Sequence, residues 1–197
     1  MAKRNHQLRR RQIIGAMAQC VAEDGIDGAT VRKVAERSGG TTGLVTYYYA
    51  TKRELMRETL EAAHERVNRR IEQLQGKETR QLERLFEVLV GQRDADTLPW
   101  SFWLDYWAHA SREPELRDEH ARHSTHLKAT IRRLVESAIS GGALRRDLPP
   151  AATATLLLSL LNGLGVQVAL AQTLEDQRQA IEAVRLIFSL ITASSAG

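Results

Sequence analysis

The chain has 197 residues, 43% of them hydrophobic and 26% charged, with a formal net charge of +4. This composition predicts a globular protein with a buried core and excludes a disordered chain. Its single cysteine, Cys20, excludes an internal disulfide and a cysteine-based zinc finger, and favours a reducing compartment such as the cytoplasm. No signal peptide is recognised, and the apolar run at 156–171 is interpreted as a buried helix, because it is short for a bilayer and contains polar residues.

Three short helical segments are predicted near the N-terminus. The first covers residues 6–24, where apolar residues recur with helical spacing, and it ends at Gly25. Thr30 is the predicted N-cap of the second helix, which stops before Ser38. After a glycine-bearing turn, Thr41 is the predicted N-cap of a third helix that runs to about Tyr49.

The positive charge is concentrated in this part of the chain. Residues 1–55 hold ten Lys and Arg against five Asp and Glu. Five of these cations stand in the first eleven residues without an acid: Lys3, Arg4, Arg9, Arg10 and Arg11. Such a segment is typical of a surface that faces a polyanion, and equally of a solubilising terminus.

Two short helices joined by a tight turn form a helix-turn-helix, whose second helix enters the major groove of DNA. The exposed face of the third helix therefore supplies the predicted base contacts, Thr42, Gly43 and Tyr47. Predicted phosphate contacts come from hydroxyl and amino groups at helix ends: Thr30, Thr41, Tyr48 and Lys52. Tyr49 is expected to pack inward. The alternative is that all three tyrosines, 47–49, form a packed cluster.

The remaining sequence predicts six further helices and no strand, which gives an all-α protein of about nine helices. The fourth helix continues to about Gly76. Glycines and prolines separate the other five, at about 78–93, 98–112, 115–140, 150–172 and 175–193. The predicted domains are an N-terminal three-helix domain at 1–55 and a C-terminal helical domain at 56–197.

The last two helices have broad apolar faces, which predict either an internal core or an interface between two copies of the chain. Gly163 and Gly165 permit close approach of a neighbouring helix. We interpret the pair as a dimer interface, because a four-helix interface between two copies explains why so much of both surfaces is apolar. Dimerisation would also place two recognition helices about 34 to 36 Å apart on DNA. The predicted interface residues are Leu157, Leu161, Leu164, Val184 and Phe188.

Aromatic residues are concentrated between residues 99 and 107. Trp100, Trp103 and Trp107 share one face of a predicted helix, with Phe102 and Tyr106 beside them. They form either core or the lining of a cavity for a quaternary ammonium or another apolar cation. His120, His123 and His126 follow at steps of three, and we interpret them as a solvated polar face, not a metal site.

Residues 9–60 resemble the DNA-binding domain of the TetR family of bacterial transcriptional repressors. The resemblance rests on the stretch SGGTTGLVTYYYATK at 38–52, with Gly40 in place of an apolar turn residue and Thr46 in place of a phosphate-contacting tyrosine. FWLDYWAHASREPEL and LLNGLGVQVAL are similar to the BetI-type branch, whose named member controls choline-to-betaine genes. Asn162 stands where that member carries an acid, and this resemblance adds Asn162 to the predicted effector pocket of Trp100, Trp103, Tyr106 and Trp107.

The resemblance implies a cytoplasmic, dimeric repressor that releases a palindromic operator when a small molecule binds its C-terminal domain. The partners expected are double-stranded DNA, a second copy of the chain and an unidentified effector, with no membrane, cofactor or metal. No phosphate-binding loop or nucleophile motif is present, so we expect no enzymatic activity. The alternative is a constitutive DNA-binding dimer without an effector.

Overall fold

The computed structural model describes residues 2–72, 79–91, 98–171 and 173–193. The described residues form nine helices and no strand, which confirms the predicted all-α class. The helices are α1 (Ala2–Gly28), α2 (Val31–Arg37), α3 (Thr42–Tyr48), α4 (Lys52–Glu72), α5 (Thr79–Gly91), α6 (Trp100–Ala110), α7 (Pro114–Ser140), α8 (Pro150–Leu170) and α9 (Leu174–Ile191). The predicted boundaries at 76, 78, 93 and 172 lie outside the described residues.

The first helix begins earlier than predicted and is interrupted where its end was expected. It starts at Ala2, and Gly25 adopts the left-handed backbone (φ 74°) that interrupts helical geometry before a last turn to Gly28. A residue with a side chain is strained at this φ, so glycine suits the position. The predicted break at Gly25 is therefore confirmed as a kink within α1.

Both predicted N-caps are confirmed. The Thr30 hydroxyl accepts a hydrogen bond from the backbone N–H of Lys33 at 3.3 Å, and the Thr41 hydroxyl accepts one from Leu44 N–H at 3.2 Å. Each bond satisfies an amide at a helix start that has no partner within its helix. These caps fix the start of α2 and of α3, and hence the turn between them.

The turn between α2 and α3 is held from α1 by an arginine. Arg9 donates to the backbone carbonyls of Ser38 (3.1 Å) and Gly39 (3.0 Å). A Cβ on Gly40 would lie 2.9 Å from Arg9 Nη2, so the arginine occupies the space that a larger turn residue would need. The absence of an apolar residue at position 40 therefore does not leave the turn unsupported.

Arg10 is also bound within the protein. Its guanidinium donates to Glu58 at 2.6 Å and to the Tyr49 hydroxyl at 3.4 Å, and it lies 5.5 Å from the centre of the Tyr49 ring. Tyr49 is buried, as predicted. Arg9 and Arg10 thus hold α1 against the α2–α3 turn and α4, a role that neither of the two interpretations of the N-terminal cations, a surface facing a polyanion or a solubilising terminus, includes.

Two hydrophobic cores meet at α6. The N-terminal core joins α1–α4 and includes Cys20, and it also contains Phe102, Tyr106 and Ala110 from α6. The C-terminal core is built from α5, α7, α8 and α9, together with Trp100 from α6. The predicted domain boundary between residues 55 and 56 falls inside α4, so α4 as well as α6 belongs to both parts.

Helix α8 is the one described helix long and apolar enough to cross a membrane by length and composition alone. Eight of its residues are buried in the protein, and α8 packs against α5, α6, α7 and α9. A core helix passes the same composition test as a membrane span. The prediction of a buried helix agrees with this packing.

The five residues predicted for a dimer interface lie instead in the core of one chain. Leu157, Leu161, Leu164, Val184 and Phe188 are each at most 6% exposed. Their side chains pack between α8, α9 and the neighbouring helices, so they have no surface to offer a second copy. The apolar period was correct, but it marks the inward faces of these helices. The exposed large apolar residues nearby are Leu156, Leu170, Leu174, Leu186 and Leu190.

Candidate functional site

The exposed face of α3 carries the side chains that the sequence predicts for base contacts. Thr42, Gly43, Thr46 and Tyr47 are all exposed, and Tyr47 keeps 76% of its surface accessible. Val45 holds the opposite face in the N-terminal core. A large aromatic side chain left exposed on a seven-residue helix has little to contribute to folding, so this face is free to contact another molecule.

Three of the residues predicted to contact phosphate keep hydrogen-bond donors available, and the fourth, Tyr48, lies beside α1. The Thr30 and Thr41 hydroxyls accept from backbone amides, which leaves each hydroxyl hydrogen available to donate. Lys52 Nζ donates to the Asp27 carbonyl at 3.3 Å and has further hydrogens to give. The half-buried Tyr48 ring lies 4.7 Å from the ring of His6, which places α1 beside α3 at the same surface.

A cavity of about 80 Å³ lies in the C-terminal part of the protein. This is room for several water molecules or a small organic molecule. Trp100, Trp103 and Trp107 form its α6 wall, and the ring centres of Trp103 and Trp107 lie 6.5 Å apart. The other lining residues come from α4, α5, α7 and α8 and from the segment before α6: His64, Val67, Asn68, Leu89, Leu98, His120, His123, Ser124, Leu127, Leu158, Leu161 and Asn162.

Four of the five residues predicted for the effector pocket line this cavity. They are Trp100, Trp103, Trp107 and Asn162. Tyr106 is fully buried on the other side of α6, where its hydroxyl donates to the Leu116 carbonyl at 3.3 Å. The helical period of α6 explains this difference, because Tyr106 points toward the N-terminal core, away from the face shared by the three tryptophans.

Histidines form part of the cavity wall. The rings of His64 on α4 and His123 on α7 are stacked, with centres 3.9 Å apart and planes within 2° of parallel. His64 Nδ1 donates to the Leu60 carbonyl at 2.8 Å, and the Trp103 ring meets it edge-on at 5.0 Å. Burial, together with His123, lowers the pKa of His64 to about 3, so this imidazole is neutral at pH 7.

The predicted solvated face at His120, His123 and His126 is wrong for two of the three residues. His120 and His123 are partly buried at the cavity, while His126 is exposed. Burial lowers the pKa of both His120 and His123, and His120 Nδ1 is buried without a hydrogen-bond partner. In the part of the chain that the structure describes, no group of His, Cys, Asp and Glu residues is arranged to hold a metal ion.

The face of α6 away from the cavity forms hydrogen bonds with the end of α1. An oxygen of the Asp105 carboxylate accepts from the backbone N–H of Ile26, next to the kink at Gly25, and Ser101 donates to the Ala22 carbonyl at 3.3 Å. His109 Nε2 lies 3.6 Å from the carboxylate of Asp27. One helix therefore contacts the cavity on one face and the helix-turn-helix region on the other.

Two family models match the chain. Residues 13–59 match the model for bacterial regulatory proteins of the TetR family, and residues 78–189 match the C-terminal domain of BetI-type transcriptional repressors. The chain belongs to the TetR family, in its BetI-like branch. It is therefore a transcriptional regulator and not an enzyme, as predicted.

Curated relatives of this regulator are similar along most of their length. The HTH-type transcriptional regulator BetI of Escherichia coli O127:H6 is 27% identical over 172 residues, which cover 83% of this chain and 84% of the relative. BetI of Cronobacter sakazakii is 28% identical over 174 residues, covering 83% and 81%.

Solved structures share the fold of this regulator. A transcriptional regulator from Saccharomonospora viridis, solved in complex with choline, has a TM-score of 0.80 at 21% identity and covers 94% of this chain and 98% of its own. A TetR transcription regulator from Haloarcula marismortui has a TM-score of 0.79 at 18% identity, covering 94% and 99%.

The sequence did not point to the α4 side of the cavity. His64, Val67 and Asn68 lie on the fourth helix, for which the sequence predicts an extent but no role in a ligand site, and nothing in their spacing marks them as lining a cavity. His123, on the other side of the cavity, gave one signal in the sequence, because a histidine on a partly apolar helix face is often partly buried. That His64 on α4 stacks on His123 became evident only from the packing of α4 against α7.

Proposed function

We propose that this regulator is a dimeric repressor that holds a palindromic operator with its two α3 helices and releases it when a small molecule occupies the tryptophan-lined cavity. The observation that carries this proposal is the double contact of α6. Three tryptophans of α6 line the cavity, while Phe102 and Asp105 of the same helix contact the N-terminal core and the end of α1. A shift of α6 on ligand binding would therefore act directly on the DNA-binding region.

On DNA, Thr42, Gly43 and Tyr47 would contact base edges in the major groove, while Thr30, Thr41, Tyr48 and Lys52 would contact phosphates. The exposure of the α3 face and the free donors of these side chains support this assignment. A cellular location in the cytoplasm, where operator DNA is present, belongs to the same proposal.

The cavity supports an effector-responsive regulator over a constitutive one. A purely structural C-terminal domain would gain stability by filling this space, because each unfilled volume in a core is costly. The choline bound by the Saccharomonospora viridis protein, at a TM-score of 0.80 to this chain, also supports a small organic effector. Release requires only that the effector prefer one arrangement of the two DNA-binding regions, with a coupling of roughly 1–3 kcal/mol.

The test is a titration of DNA flanking the regulator's own gene, by footprinting and fluorescence anisotropy at two salt concentrations. We expect a protected palindrome with the wild type, a loss of about 1–3 kcal/mol of specific binding in Tyr47→Ala, and a salt dependence shallower by about one counterion in Lys52→Ala. Lys128→Ala, on an exposed face of α7, is the control and should bind as the wild type does. Weak and equal binding by all four proteins would refute the DNA-binding assignment.

A further inference from the structure

The cavity wall is unusual in the kind of polar groups it contains. Its described lining residues include three histidines, two asparagines and one serine, but no aspartate and no glutamate. The three tryptophans and six aliphatic side chains make the rest of the wall apolar. A bound cation would therefore find aromatic faces but no carboxylate in contact with it.

The nearest buried acid is directed to a histidine. Glu119 is 6% exposed, and its Oε1 lies 3.9 Å from Nε2 of His123. Burial is the largest influence on this carboxyl and raises its pKa, with Glu61 acting in the same direction and Arg122 and Arg57 opposing it. Because Glu119 faces His123 and is not part of the described wall, it offers no direct counter-charge to a ligand in the cavity.

The histidines of the cavity wall show that positive charge is disfavoured there. His64 has Trp103 at its edge and His123 stacked on its face, and its surroundings disfavour protonation so strongly that its pKa is lowered to about 3. The same burial lowers the pKa of His120 and His123. A ligand cation in this space would lose its hydration as these imidazoles do, with only the tryptophan faces to replace it.

We propose that the cavity selects an uncharged effector, with an apolar body against the α6 tryptophans and one hydrogen-bonding group directed to the imidazole and amide groups of α4, α7 and α8. A neutral imidazole donates at one nitrogen and accepts at the other, so it pairs with a hydroxyl without requiring a charge. Asn162 offers both a donor and an acceptor at the same wall. This inference rests on the proposed function, since it concerns the ligand of the same cavity.

The test compares two probes that differ by one atom. Choline and its carbon isostere, 3,3-dimethylbutan-1-ol, have the same hydroxyl and nearly the same shape, but only choline is charged. Calorimetric titration of the full-length regulator at pH 7 should show roughly tenfold tighter binding of the alcohol. Choline binding as tightly as the alcohol, or tighter, would overturn the inference.

A second variant supplies the missing acid. Asn162→Asp places a carboxylate on the cavity wall and should reverse the preference toward choline, while Gln167→Glu, exposed on the same helix and outside the cavity, should leave it unchanged. Choline binding by Asn162→Asp alone, with neither probe bound by the wild type, would still support charge selection. Failure of both probes with both proteins would overturn it. The operator titration uses neither probe, so its outcome is independent of this one.

Discussion

Asp105 joins two parts of the regulator through one carboxylate. It lies on α6 beside Trp103 and Trp107, yet it accepts the backbone N–H of Ile26 at the kink of α1. A Cβ on Gly25 would lie 3.4 Å from Asp105 Oδ2, so the kink and the carboxylate are packed together. The backbone amide freed by the kink therefore has its partner on another helix.

Replacing Asp105 with alanine should lower the free energy of unfolding by about 1–3 kcal/mol, because the Ile26 amide would lose its acceptor. Urea denaturation measures this change. Asp105→Asn keeps an acceptor oxygen of similar size and should lose less than the alanine variant. Equal losses in both variants would assign the effect to charge, and no loss in either would refute the role of this hydrogen bond.

His64 gives the stability a dependence on pH. Its pKa is about 3 in the folded chain, against roughly 6.5 in the unfolded chain. Between these values the unfolded chain binds more protons than the folded chain, so this contribution is fully present above pH 6.5 and is lost as the pH falls toward 3. The slope for one such histidine is about 1.4 kcal/mol per pH unit.

We therefore expect urea denaturation between about pH 7 and pH 5.5 to show a loss of stability roughly 1 kcal/mol larger for the wild type than for His64→Gln. His120 and His123 act in the same direction, whereas His109, whose pKa is raised by its bond to the Asp105 carbonyl, acts in the opposite one. Because both proteins contain His109, His120 and His123, the effects of these residues cancel when the two losses of stability are subtracted. His126→Gln, at an exposed position, should behave as the wild type does. Identical losses in wild type and His64→Gln would contradict a neutral, buried His64.

At the scale of helices, α6 and α8 approach through a glycine. The indole of Trp100 lies directly over Gly165, where a Cβ would come within 2.3 Å of the ring. Trp100 Nε1 donates to the carbonyls of Leu89 (3.2 Å) and Val90 (3.3 Å), which fixes the ring from α5. The ring therefore has little freedom to move away, and the close approach predicted from Gly165 occurs within one chain.

Gly165→Ala should destabilise the protein by about 1–3 kcal/mol and alter its tryptophan fluorescence, because the added methyl displaces Trp100 at the cavity wall. Gly163→Ala is a matched control two residues earlier on α8. A Cβ there meets nothing within 4 Å, so the helix should gain about 0.5–1 kcal/mol from the better helix former. Thermal denaturation of both variants measures this difference. Equal stability of the two would show that Trp100 can move aside for the added methyl group at little cost.

For the whole molecule, exposed leucines mark a surface that a second copy could cover. Leu156 and Leu170 on α8, Leu174, Leu186 and Leu190 on α9 are each 52–74% exposed, and α8 packs against α9. Exposed apolar side chains grouped on neighbouring helices are typical of a protein interface. We therefore place the interface of the proposed dimer on the outer faces of α8 and α9, the helix pair that the sequence indicated.

The double variant Leu186→Glu and Leu190→Glu should be monomeric, because a dimer would bury four new charges at its interface. Light scattering after size exclusion would give the 22.1 kDa of one chain, against twice that mass for the wild type. Leu8→Glu, at a leucine of α1 that is also 55% exposed, should remain dimeric. A double variant that is still dimeric would place the interface elsewhere.

The sequence by itself determined the helices, because capping threonines, glycines and the 3.6-residue apolar period act locally. Thr30, Thr41 and Gly25 lie where these rules put them, and the exposed face of α3 follows from the same period. The period also identified the cavity face of α6, although Tyr106 belongs to the opposite side. Local patterns indicate which residues share a face but not what that face contacts.

Only the tertiary structure decided which faces meet. The stack of His64 on His123 joins residues 59 positions apart, and the Asp105 bond to Ile26 joins residues 79 apart, so no local pattern contains either contact. For the same reason, the apolar faces of α8 and α9 could not reveal that Leu157 and Phe188 fill the core of one chain, because burial in a core and burial against a partner require the same hydrophobic side chains.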